Sequence, residues 1–131
     1  MSYLDEMADS FGETILSESE EFVEESVCPE FGDQCSKAVA LFRDRLAEEA
    51  DKALTDENWL ALRDYAQALV YLEENPIQSG MDLWLTLSGS GSGFWSRATP
   101  DEGARNALTE TAESLTGDVE FDGYKLHVTD I

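Results

Sequence analysis

Residues 88–93 read Ser-Gly-Ser-Gly-Ser-Gly between Trp84 and Trp95. Glycine at every second position suits a flexible connection better than the interior of a helix or strand. Any fold must therefore be assembled from elements on either side of this run. A phosphate-cradling loop would need the glycines to lead into a helix N-terminus with free N–H groups. Walker-type loops add a lysine and a Ser or Thr. Here Phe-Trp-Ser-Arg follows, more strand-like than helical, with no lysine nearby. Ser88, Ser90, Ser92 and Ser96 are weak nucleophiles without a base. The run is expected to be a turn between two antiparallel strands, the first over the alternating residues 83–87.

The flanking elements follow from periodicity and punctuation. Leu4, Met7, Phe11, Ile15 and Phe22 share one side of a helix over Tyr3–Glu25, with a possible break at Gly12 and an end set by Pro29 and Gly32. A second helix is expected from Cys35 to Leu54, with Ala38, Val39, Phe42, Leu46 and Ala50 facing the core. Thr55 then reads as an N-cap ahead of Asp56 and Glu57. Trp59, Leu62, Ala66, Leu69 and Val70 form the inward stripe of a third helix that Pro76 stops near Asn75. Thr99-Pro100-Asp101-Glu102 resembles a capping box with proline at the first helical position. Ala104, Ala107, Leu108, Ala112 and Leu115 make the buried stripe behind it, and Gly117 suits a C-terminal cap. Asp122-Gly123 signals a two-residue hairpin. That register places Val119, Phe121, Tyr124, Leu126 and Val128 on one face and Glu120 opposite Lys125 on the other. The expected class is α+β: three N-terminal helices, then hairpin, helix, hairpin, forming a small antiparallel sheet packed on helices. One domain spans 1–131, with an acidic helical segment at 1–33, two helices in 35–75 and the hairpin-helix-hairpin in 76–131.

Charge constrains function more than fold. The formal net charge is −21 over 131 residues. Residues 1–36 hold eleven acids and no Lys or Arg, whereas the remaining 95 carry 18 acids and all eight basic residues. Such a surface repels nucleic acids, anionic lipids and nucleotides, and attracts basic partners. No segment approaches the roughly 20 apolar residues of a membrane span, and the N-terminus lacks a basic-then-apolar signal pattern, so the expected location is cytoplasmic. Cys28 and Cys35 lack further ligands for a zinc site; their spacing leaves a loop-closing disulfide open, but free, partly buried thiols are expected in a reducing cytoplasm. His127, the lone histidine, is expected on the exposed face of the last hairpin opposite Asp118.

Asp82, Trp84, Leu85, Thr86, Gly89, Gly91, Gly93, Phe94, Trp95 and Arg97 resemble a motif in a group of small phage and prophage proteins, typically DFWLTRNGHGAGFWDR. A short helix containing Leu108-Thr109 and the Asp122-Gly123 hairpin are compatible with the layout of those proteins. The likeness covers about residues 76–128 and leaves the acidic N-terminal half uncovered. Where the pattern has Arg, Asn, His and Asp, this chain has Leu87, Ser88, Ser90 and Ser96. The groups that ionise or bind metal are replaced while glycines and aromatics stay, so the resemblance implies a phage-type origin and a scaffold, with no catalytic residue, cofactor or metal. Trp84 and Trp95 leave stacking on a sugar or a base open, but core packing, with Arg97 over a ring, is the expected role.

Three readings are compatible with these features. One is an acidic binding protein resembling a DNA mimic, in which Glu6, Asp9, Glu13, Glu20 and Glu24 engage the basic surface of a host nucleic-acid-binding or defence protein. Another is adaptation to high salt. The third is a small enzyme, or another interaction protein with an acidic tail.

Overall fold

The computed structural model describes residues 2–18, 31–89, 91–121 and 126–129. Five helices dominate it: α1 (Tyr3–Glu18), α2 (Phe31–Thr55), α3 (Trp59–Glu74), α4 (Pro76–Ser88) and α5 (Glu102–Glu113). A 3₁₀ turn covers Phe94–Ser96, and two short strands, β1 (Val119–Phe121) and β2 (Leu126–Val128), pair antiparallel. Among the described residues the architecture is thus mainly helical with one two-stranded sheet, and the expected hairpin-helix-hairpin arrangement is wrong.

The error lies at residues 76–97. Pro76 occupies the first turn of α4, where its missing N–H leaves no bond unmade. The helix ends at Gly89, which adopts a left-handed φ of 67° and turns its N–H back to the Leu85 and Thr86 carbonyls. Ser79, Gly80, Asp82, Leu83 and Thr86 are the buried positions, a spacing of three to four rather than two. The Leu-Trp-Leu-Thr-Leu alternation misleads because every position in it has some apolar surface, so no face is marked as outward.

α4 lies most extensively against α1. A Cβ on Gly80 would run into the Met7 carbonyl oxygen and come within 2.9 Å of the Phe11 nitrogen, so only glycine lets the two backbones approach this closely. The Ser10 hydroxyl donates to the Ile77 carbonyl at 2.5 Å across the same contact. Met7, Phe11 and Ile15 are buried as expected, and α1 passes Gly12 without a break because Phe31 and Cys35 fill the space beside it. Beyond Glu18, the part of the first helix expected over residues 19–25 lies outside the described residues.

α2 supplies Ala38, Val39, Phe42 and Leu46 to the core, and Phe42 stacks on Phe94 with ring centroids 5.6 Å apart. It runs through Thr55, whose hydroxyl donates to the Asp51 carbonyl; the cap of α3 is Asn58, accepting from the Ala61 N–H at 3.2 Å. The inward face of α3 is rotated from expectation. Ala68, Tyr71 and Leu72 are buried and Tyr65 and Leu69 partly so, whereas Trp59, Ala66 and Val70 are exposed.

α5 begins at Glu102 with Asp101 in the cap position, two residues after the expected Thr99 cap, and the Thr99–Pro100 peptide is cis. Its alanine-leucine stripe is buried as anticipated, and Gly117 adopts a positive φ in the turn that follows. The strands pair Val119 with Val128, Glu120 with His127 and Phe121 with Leu126. This register is two residues away from that of an Asp122-Gly123 two-residue turn. A shift of two preserves side-chain parity, so Val119 and Leu126 still face inward. Tyr124 and Lys125 lie outside the described residues.

Candidate functional site

The acidic face of α1 is built by helix geometry alone. Glu6, Asp9 and Glu13 stand three and four residues apart, about 10 Å from first to last along the axis at 1.5 Å per residue. All three are exposed, opposite the buried Met7, Phe11 and Ile15. None of them enters a salt bridge among the described residues. Glu20 and Glu24, the other two expected partner contacts, lie outside the described residues. The described part of α1, Tyr3–Glu18, is about 24 Å long. Helix spacing brings the three carboxylates together, and packing of α1 against both α4 and α2 mounts them on the core.

The glycine-rich segment is organised by a buried acid. Asp82 is fully buried on α4, and a carboxylate there needs partners for its charge. Arg97 provides a fork, with Nη2 at 2.6 Å and Nε at 3.1 Å from Oδ1, and Gln78 adds an N–H donor at 3.0 Å. This bond with Asp82 also raises the Arg97 pKa, holding the guanidinium charged. The Arg105 guanidinium in turn donates to the Arg97 carbonyl. The ion pair closes residues 82–97 into a loop, Phe94 plugs the core, and Gly93 sits where a Cβ would strike the Thr86 hydroxyl. Arg97 engages Asp82, not an aromatic face. Trp84 packs edge-on against Phe11 and Phe121, its indole N–H donating to Glu18 at 3.0 Å, while Trp95 is exposed. The segment is a structural closure, although not the hairpin turn expected of it.

Other ionisable groups are accounted for by packing. Burial, with the Asp9 charge adding to it, pushes the Cys35 thiol up to about 12, which favours an unreactive protonated form; Cys28 lies outside the described residues. Burial and the Asp82 charge raise the Tyr71 hydroxyl, and burial with Glu49 and Glu110 raises Tyr65. His127 is exposed and faces Glu120 rather than Asp118. Among the described residues no cluster of three or more His, Cys, Asp or Glu side chains is placed to hold a metal ion, and no helix is long and apolar enough to cross a membrane.

Sequence reasoning did not single out Asp82 as a structural centre. Its signal is the Gln78 four residues before it and the lone Arg97 beyond the glycines, which together amount to a buried-acid clamp. Family models, curated proteins and solved structures were all compared with this chain, and none matches it.

Proposed function

We propose that this chain is an acidic binding protein of phage type, acting in the host cytoplasm as a DNA-mimic-like inhibitor of a host nucleic-acid-binding or defence protein. The observation that carries the reading is the exposed row of Glu6, Asp9 and Glu13 on a helix whose opposite face is locked into the core. A rigid acidic row needs little reordering on binding, so its charge is available to a basic groove at low entropic cost. The five acids of the described α1 average one per roughly 5 Å of axis. DNA carries one phosphate per about 3.4 Å along each strand. The phage-like motif at 82–97 supports the origin, and the net charge of −21 supports the sign of the partner.

The test is Glu6→Lys, Asp9→Lys and Glu13→Lys combined, used as bait beside the wild type in a host lysate. The wild type is expected to capture a DNA-binding protein and to displace its DNA in proportion to added protein, more weakly as salt rises. The triple variant should do neither. Capture and displacement unchanged by the three reversals would remove the proposal.

A further inference from the structure

We infer that the outer face of α3, running from Trp59 into the cleft beside Pro100, docks a basic amphipathic segment of a partner protein. The face lies on α3 and in the Thr99–Asp101 segment, and the inference does not depend on the reading of α1.

Trp59 is 60% exposed, Leu60 63% and Val70 50%, and Ala66 is exposed between them. Isolated surface hydrophobes need no explanation. These recur at i, i+7 and i+11 for Trp59, Ala66 and Val70, a helical stripe that reads in the sequence as a core face and is left open by the fold. The stripe leads into a cleft of about 540 Å³ in which Ala66, Val70 and Pro100 form apolar walls. Gln67 also lines this cleft.

The rim decides what the occupant is. Glu74 and Asp101 line the cleft and are exposed. Arg63, the one base on the stripe, lies 3.5 Å from Asp64. A second copy of this chain would bring the same carboxylates and a further −21 against them, and nucleic acid or an anionic bilayer would be repelled likewise. A peptide with Leu-like side chains for the walls and Lys or Arg for the rim matches both properties, the basic stems covering apolar surface while their heads reach the acids.

The experiment compares a synthetic Leu/Lys amphipathic peptide with a Ser/Lys peptide of equal length and charge, binding the full chain at near-physiological ionic strength. The Leu/Lys peptide is expected to bind about ten-fold more tightly, the scale of burying one or two apolar groups. Val70→Ser and, separately, Trp59→Ser should each reduce that advantage without changing Ser/Lys binding or the melt, since both side chains are half exposed or more. The α1 triple reversal should weaken both peptides alike and leave the ratio intact, which separates this surface from the α1 row. Equal affinities of the two peptides would overturn the inference, as would an advantage that survives both serine variants. Dimerisation of the wild type abolished by Val70→Ser would overturn it too, by making a second copy the occupant.

Discussion

At the scale of single residues, Asp82 and Arg97 carry unequal risks. The carboxylate is fully buried, whereas the Arg97 side chain keeps 34% of its surface in contact with solvent. Arg97→Ala strands a buried charge and is expected to destabilise the fold by about 3 kcal/mol, the low end for breaking such a pair because one partner is partly solvated. Adding Asp82→Leu should recover much of that loss, as measured by denaturant titration. Cys35 makes a different prediction. Its thiol is held up to about 12 from an ordinary 9.0, so the native state keeps a proton that the unfolded chain gives up first. The associated stability is complete below pH 9 and is lost as pH climbs toward 12. A melting series over that window should fall more steeply for the wild type than for Cys35→Ala, with Tyr65 and Tyr71 contributing to both in the same direction. Neither role is legible from residue type, since burial is a property of the neighbours and 29 acids offer no way to tell the buried one from the rest.

At the scale of elements, close helix contact depends on Gly80. Replacing it with Ala adds helix propensity of about 1 kcal/mol yet forces the α1 backbone away, with a net loss of about 1–3 kcal/mol expected from overpacking. Gly32, inside α2 with no described atom within 4 Å of its missing Cβ, is the control. Gly32→Ala should stabilise by up to about 1 kcal/mol in the same thermal melts. The two glycines look alike in sequence, and only the neighbouring helix distinguishes them. The same holds for α3, whose apolar residues occupy more than one face. α2 and α5 fix which of those faces turns inward, because they are the partners against which it packs. By contrast α1 and α5 show their inner faces in the sequence, since acids or other polar residues mark the outer ones.

At the scale of the whole molecule, a charge of −21 works against compaction through self-repulsion that dissolved ions reduce. The chain is expected to melt cooperatively in dilute buffer, with a midpoint that rises as salt is added. Glu6→Gln, Asp9→Asn and Glu13→Gln together should raise the low-salt midpoint and flatten the salt response. Loss of cooperative folding in dilute buffer would instead assign the acidity to high-salt adaptation. The sequence by itself determined the acidic outer face of α1, the inner faces of α1, α2 and α5, the stop at Asn75, and the facing parity of the last strands. In the helices and strands polar and apolar residues alternate with one clear period, and at Asn75 the following proline sets the stop. Only the tertiary structure decided that 76–88 is a helix, which way α3 turns, where the strand register settles and that Asp82 is the buried acid. Those segments carry apolar groups on several sides or ambiguous turn signals, so local energies nearly balance and contacts from distant parts of the chain select the outcome.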